Sequence, residues 1–203
     1  YRRQRQMCIR DSLKAIREWI AKQPPDAQLR GFGWVLHDTF GEEIPRREWL
    51  DEITGDRPMY LLSADIHETW FNTAAMKAAG LNSNTPDPDP GKQYYMRNPD
   101  GTLTGVAIEA AAEWPILVAC GVTSPETVRE SQRLTIDRAP SQGMTTYFDA
   151  GFLVGRVNNT ARWVIEDLIA RDKAGKLPIR IVGTVYTRNF DDDTAAVTKE
   201  LLD

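Results

Sequence analysis

Apolar residues recur at helical spacing from Leu13 to Gln23, and Pro24-Pro25 stop the pattern. Gly31-Phe32-Gly33-Trp34 reads as a strand end or loop punctuated by glycine. Pro45 opens a short helix through Ile53, because proline suits a first helical turn, and Gly55 closes it. From Arg57 to Ala64 the apolar run suits a buried strand, and it ends in the polar residues Asp65 and His67. A helix is predicted over about Thr69 to Ala79, with Gly80 as its C-terminal cap. Residues 82–92 are rich in Pro, Asp and Asn, which marks a loop. Tyr94 to Arg97 and Thr102 to Ile108 flank Asn98-Pro99-Asp100-Gly101, a hairpin signal, with Glu109 at the end of the second arm.

The second half of the chain alternates. Ser124-Pro125-Glu126 starts a helix with a capping hydroxyl, a proline and an acid, and the helix runs to about Ala139. Met144 to Phe148 reads as a strand with Asp149 and Gly151 just past its end. Thr160 to Lys173 is a helix closed by Gly175, Pro178 to Tyr186 a strand, and Asp191-Asp192-Asp193 begins a last helix. Strand and helix in alternation argue for a parallel sheet in an α/β fold.

Composition narrows the function classes. The 203 residues are 41% hydrophobic and 27% charged, an ordinary globular balance. No apolar run approaches the roughly 18 to 20 residues that span a bilayer, so no membrane partner is expected. Tyr1 to Ser12 differ from the rest, with four arginines, one aspartate and no apolar period. Met7-Cys8-Ile9-Arg10-Asp11-Ser12 resembles a translated sequencing-library adapter, and residues 1–12 are read as a disordered scar. A basic disordered tail is the alternative. Without that segment the net charge moves from −4 to −7, and an acidic chain lacks the footprint of a nucleic-acid binder. Cys120 is then the one remaining cysteine, so no disulfide and no paired-cysteine zinc site are expected. Compartment is not legible from it, although a cytoplasmic one is favoured.

In parallel α/β sheets, reacting groups lie at the C-terminal ends of strands. Three predicted strand ends carry polar residues here: Asp65 with His67, then Glu109, then Asp149. Each also has a plainer reading. An acid such as Asp149 or Glu109 can cap a helix, where the dipole favours it. His67, like His37, can be a satisfied structural group. His67 is the better candidate because it directly follows a buried strand, whereas His37 lies in an irregular stretch.

Several blocks in sequence resemble amidohydrolase family 3, the YtcJ-like metal-dependent hydrolases. Leu62-Ser63-Ala64-Asp65-Ile66-His67 running on through Trp70-Phe71-Asn72-Thr73-Ala74-Ala75-Met76 is similar to the family's Asp-Gly-His and Trp-x-Asn-Ser-x-Ala-Leu block. Thr85-Pro86-Asp87-Pro88 and then Asp100-Gly101-Thr102-Leu103-Thr104-Gly105 through Glu109-Ala110-Ala111 are similar to its next block. Gly143-Met144-Thr145-Thr146 looks like its Gly-Val-Thr-Ser strand, and Gly33-Trp34, Leu50-Asp51 and Asp56-Arg57-Pro58 also match. Two departures are Ile66 where the family has glycine and Thr73 where it has serine.

The resemblance implies a partial TIM-like (β/α) barrel over residues 13–203, with an inserted β-hairpin. It implies a divalent metal, usually zinc, which would lower the pKa of a bound water and polarise the scissile carbonyl. Carried over, Glu109 is the metal carboxylate. His67 and Asp65 are the catalytic candidates, and Trp70, Asn72 and Asp149 contact substrate. The substrate would be a small-molecule amide, N-acyl or N-formyl compound. The family also needs a His-x-His pair, which a chain with two separated histidines lacks. A full barrel takes about 250 residues. The chain is therefore expected to be an internal fragment that neither holds zinc nor hydrolyses amides alone, and that exposes apolar surface prone to aggregation. The alternatives are a non-catalytic binding piece, or a glycosidase-like barrel using paired carboxylates such as Glu109 with Glu113 or Asp149. Oligomeric state is not legible.

Overall fold

The computed structural model describes residues 2–40, 43–121, 123–153 and 160–186, together with Lys199. The chain divides into two compact units, Tyr1–Val122 and Thr123–Asp203.

The first unit begins with α1 (Arg2–Ile20), which starts well before the expected Leu13. The segment expected to be disordered is thus helical from Arg2, and Ile9 joins Ile20 in the core cluster built around Leu29, Leu61 and Trp70. An apolar residue far up the chain gives that helix a packing reason to extend, which outweighs the poor local pattern. Then follow β1 (Leu29–Trp34), α2 (Leu36–Phe40), α3 (Arg47–Thr54), β2 (Met59–Ser63), β3 (Glu68–Phe71), α4 (Thr73–Ala78), β4 (Tyr94–Arg97), β5 (Leu103–Ile108) and α5 (Ala110–Ala119).

These strands form one sheet in the order β1-β2-β3-β5-β4. Only β1 and β2 run parallel; β2–β3, β3–β5 and β4–β5 are antiparallel. Thr69 to Phe71, expected to begin a helix, belong instead to a strand whose Tyr60↔Phe71 and Trp70↔Val106 pairings place it in the middle of the sheet. Thr69, Trp70 and Phe71 are β-branched or aromatic, and both faces of the strand are covered, so the pleated surface suits them better than a helix does. The helix starts only after Asn72, which caps it by accepting from the Ala75 N–H at 2.8 Å. Asp51 of α3 holds the same helix end, accepting from the Thr73 N–H at 2.8 Å and its hydroxyl at 2.6 Å. That bond explains why threonine can stand in for serine there.

One face of the sheet carries Met59, Leu61, Trp70 and Val106 against Phe40 and Leu50 of the helices. Phe40 and Trp70 meet edge to face at 5.3 Å between ring centres. The other face carries Tyr60, Phe71, Ala107 and Tyr95, covered by Ala75 of α4 and by Ala112 and Ile116 of α5. Gly105 in β5 has φ +99°, and a Cβ there would come within 2.6 Å of both Arg47 Cβ and the Phe71 carbonyl oxygen. The glycine of that motif is therefore dictated by close backbone approach and by conformation. The inserted hairpin of β4 and β5 lies where the sequence places it.

The second unit holds α6 (Pro125–Arg138), a 3-10 turn (Ala139–Gln142), β6 (Thr146–Leu153), α7 (Thr160–Lys173) and β7 (Arg180–Tyr186). Ser124 caps α6, as the Ser-Pro-Glu start suggests, by accepting from the Thr127 N–H at 3.1 Å. β6 and β7 pair in parallel, so the expected strand–helix–strand alternation is met in this unit. Asp149 does not sit past the end of β6 but within it, paired with Gly183. The last predicted helix, from Asp191, lies outside the described residues. Taken together the fold is mixed α/β. The sheet of the first unit is mostly antiparallel, unlike the all-parallel sheet of a (β/α) barrel. Among the described residues no helix is long and apolar enough to cross a membrane.

Candidate functional site

β2 and β3 are joined by a tight turn that carries two of the expected site residues. The Ile66 N–H bonds the Ser63 carbonyl at 3.2 Å and closes the turn. Asp65 Oδ1 accepts from the Ser63 hydroxyl at 2.6 Å and from the His67 N–H at 3.3 Å. The Ser63 hydroxyl also accepts from the Glu68 N–H at 3.0 Å. The Ser63 hydroxyl beside it is the main cause that holds the Asp65 carboxyl below its ordinary range. Asp65 therefore shapes the turn. Ile66, at the family's glycine position, takes the left-handed conformation with φ 59°.

Across the sheet, β5 delivers Glu109. The Glu109 N–H extends the ladder by bonding the His67 carbonyl at 2.8 Å. Its side chain then meets the His67 ring, with Nδ1 3.0 Å from Oε1. Glu109 is also the N-cap of α5 with φ 68° and ψ 158°, a region that side chains other than glycine rarely occupy. Such a backbone outlier in contact with an exposed imidazole marks this corner as the functional candidate. The His67 side chain is 57% exposed. With Nδ1–H donated to a carboxylate, a neutral imidazole presents Nε2 as proton acceptor.

One turn along α5, Glu113 is only 5% exposed. Its Oε1 accepts from the buried Thr69 hydroxyl at 2.9 Å. Burial pushes its carboxyl up to about 7 from 4.5, and the Glu109 charge adds to the rise while the Thr69 bond and His67 oppose it. Thr69 and Glu113 are the site neighbours least legible in the sequence. Glu113 enters there only as half of an alternative carboxylate pair, and Thr69 only as the start of a predicted helix. The signal available was the spacing of four from Glu109 to Glu113, which would bring two acids together at the start of a helix.

The other expected residues fall elsewhere. Trp70 is buried in the aromatic cluster, its Nε1–H donated to the Arg46 carbonyl at 3.2 Å. Asn72 is fully buried. Its Oδ1 accepts from the Met59 N–H at 3.0 Å and the Ala75 N–H at 2.8 Å, and its Nδ2 donates to the Thr54 hydroxyl and the Arg57 carbonyl, each at 2.8 Å. Both side chains take interior positions, where large aromatic area and a fully satisfied amide stabilise the sheet and the α4 cap. Asp149 belongs to the second unit.

As for a metal, His67 and Glu109 supply one nitrogen and one carboxylate. Among the described residues no group of three or more His, Cys, Asp or Glu is placed to hold a cation. A catalytic zinc takes at least three protein ligands, so these two donors do not by themselves fit one.

Comparison with known proteins agrees with the sequence blocks. The sequence model of the amidohydrolase family matches residues 3–202. The Arabidopsis thaliana protein LONG AFTER FAR-RED 3 is 32% identical over 82% of this chain and 28% of its own length. YtcJ of Bacillus subtilis is 31% identical over 66% of this chain and 25% of its own. The N-substituted formamide deformylase of Arthrobacter pascens is 31% identical over 49% of this chain and 18% of its own. The chain thus spans less than a third of the length of the relatives it matches. With the family match running over nearly all of its residues, the chain belongs to the amidohydrolase family.

Proposed function

We propose that the complete protein is a hydrolase of carbon–nitrogen bonds other than peptide bonds, acting on amide, N-acyl or N-formyl compounds, and that His67 and Glu109 handle the proton. The observation that carries this reading is the 3.0 Å contact of His67 Nδ1 with Glu109 Oε1, on a histidine side chain that is more than half exposed. Family membership supports hydrolysis, and a relative named for deformylation of N-substituted formamides supports the bond class. In this reading Glu109 orients the imidazole and balances the charge it gains. Nε2 takes a proton from water as the water oxygen bonds to the carbonyl carbon, then returns it to the nitrogen as the C–N bond breaks. Positioned acid–base groups of this kind contribute about 10²- to 10⁴-fold in rate.

A (β/α) barrel, of which this chain would carry a part, and a divalent metal, zinc by resemblance to the family, are part of the proposal for the whole protein. The step above is not routed through a metal, because two donors do not make that site.

The test is hydrolysis of N-alkylformamides and N-acyl amines by the protein as its gene encodes it. His67→Asn is expected to lower kcat/KM by about 10² or more, and Glu109→Gln to lower it as well. Wild-type turnover in the His67 variant would remove the imidazole from the mechanism. Absence of turnover on every amide tested, with cleavage of aryl glycosides, would favour the paired-carboxylate alternative.

A further inference from the structure

Two side-chain contacts lie side by side at this corner, where β3 and α5 begin. His67, just before β3, meets Glu109, the N-cap of α5, at 3.0 Å and, one step inward, the Thr69 hydroxyl of β3 meets Glu113 of α5 at 2.9 Å. Thr69, in β3, lies two residues after His67, which precedes the strand. Glu113, in α5, lies four residues after Glu109, the N-cap of that helix, and its N–H bonds the Glu109 carbonyl. The four residues therefore form a closed ring: strand, outer contact, helix, inner contact. The two contacts differ in their surroundings. The outer one is wet, with His67 more than half exposed. The inner one is dry, with Thr69 fully buried and Glu113 nearly so.

A long exposed side chain loses rotamer entropy when it is held in one geometry, so an exposed pair gains little unless something else fixes its frame. Glu109 has a second reason to need support, because its backbone sits in the strained positive-φ region. The Glu113 N–H bonds the Glu109 carbonyl at 3.1 Å, so whatever anchors the first turn of α5 also anchors Glu109.

We infer that Glu113 is a positioning residue: through its buried bond to the Thr69 hydroxyl it fixes the first turn of α5 on β3 and so keeps the Glu109 carboxylate on His67 Nδ1. This role deepens the proposed function and rests on its reading of His67 and Glu109 as the proton-handling pair. It differs from a general packing role, because loss of the latch frees the imidazole to change tautomer while the sheet stays intact.

The test is ¹⁵N spectroscopy of the imidazole rings in this chain. The sequence has two histidines, so the His67 signals are identified by their loss in His67→Asn. Spectra are recorded at about pH 8.5, above the ordinary imidazole titration range. Wild type is expected to show mainly the Nδ1–H form, because Nδ1 donates to Glu109. Thr69→Val, which removes the hydroxyl at constant shape, and Glu113→Ala are expected to make the Nε2–H form the major one. Glu113→Gln keeps an acceptor oxygen for Thr69 and is expected to restore the Nδ1–H form. Unchanged His67 signals in a folded Thr69→Val chain would overturn the role, as would a Glu113→Gln spectrum that matches Thr69→Val. If Glu113→Ala does not fold, Thr69→Val decides. The readout needs neither substrate nor metal. A complete protein that hydrolyses no amide would defeat the proposed activity without altering these tautomers, and altered tautomers with full activity would separate the two in the other direction.

Discussion

Ile66 holds a left-handed φ of 59° while 62% exposed, an uncomfortable place for a β-branched residue. The penalty is about 1–2 kcal/mol for a side chain in that region. Little is lost on truncation because so much of the side chain is in water. Ile66→Gly is therefore expected to raise the stability of the chain by about 1 kcal/mol, read from the urea midpoint. A lower midpoint would mean that the isoleucine side chain contributes packing that its exposure conceals. Glu113 makes the opposite kind of case. Its carboxyl is pushed up to about 7 mainly by burial, against 4.5 in the unfolded chain, so the folded state holds a proton that the unfolded state releases. This group's stabilising share is complete below about pH 4.5 and is lost as pH rises through about 7. The loss is on the order of 3 kcal/mol for a shift of that size. Glu113→Gln cannot ionise and is expected to flatten the fall in urea midpoint between about pH 4 and about pH 8. An unchanged slope in the variant would assign the fall to other groups.

At the scale of elements, the hairpin of β2 and β3 decides the architecture around the site. Asn72 sits at its base and joins four backbone or hydroxyl partners from three segments: Met59, Ala75, Thr54 and Arg57. Its removal would leave buried donors and acceptors without partners, at about 1–3 kcal/mol for each exposed deficit. Asn72→Ala is expected to lower stability by about 3 kcal/mol or more, seen as a lower melting temperature and faster hydrogen exchange in α4. A loss under about 1 kcal/mol would show that water replaces the amide at these groups. The Trp-x-Asn part of the motif is thus explained by folding, since Trp70 fills the aromatic cluster and Asn72 satisfies the strand ends. The helix–strand confusion at Glu68–Phe71 has the same origin. Four residues are too few for a period to be read, and the choice was made by partners on β2 and β5 that lie far away in sequence.

At the scale of the molecule, the second unit leaves apolar surface open. Tyr147 and Phe148 are both exposed, Phe148 by 59%, and as neighbours in a strand they point to opposite faces of a sheet of two strands. A two-stranded sheet is marginal by itself, and large exposed apolar patches favour association. Phe148→Thr is expected to reduce binding of an apolar dye such as ANS and to reduce self-association on a sizing column, with far-UV circular dichroism unchanged. Undiminished dye binding would place the sticky surface elsewhere.

The order of local elements was readable from residues alone wherever the signal is itself local: the Ser-Pro-Glu start of α6, the Asn-Pro-Asp-Gly turn between β4 and β5, and the apolar run of β2. So were Glu109 and His67 as candidates, because polar residues at the ends of apolar runs stand out in one dimension. Tertiary structure alone decided that they meet. It also decided that Trp70 and Asn72 are interior, that the first sheet is mostly antiparallel, and that Glu113 is buried against Thr69. The physical reason is that strand pairing and burial are set by partners tens of residues away, and spacing along the chain carries no record of which distant groups exclude water from a carboxyl.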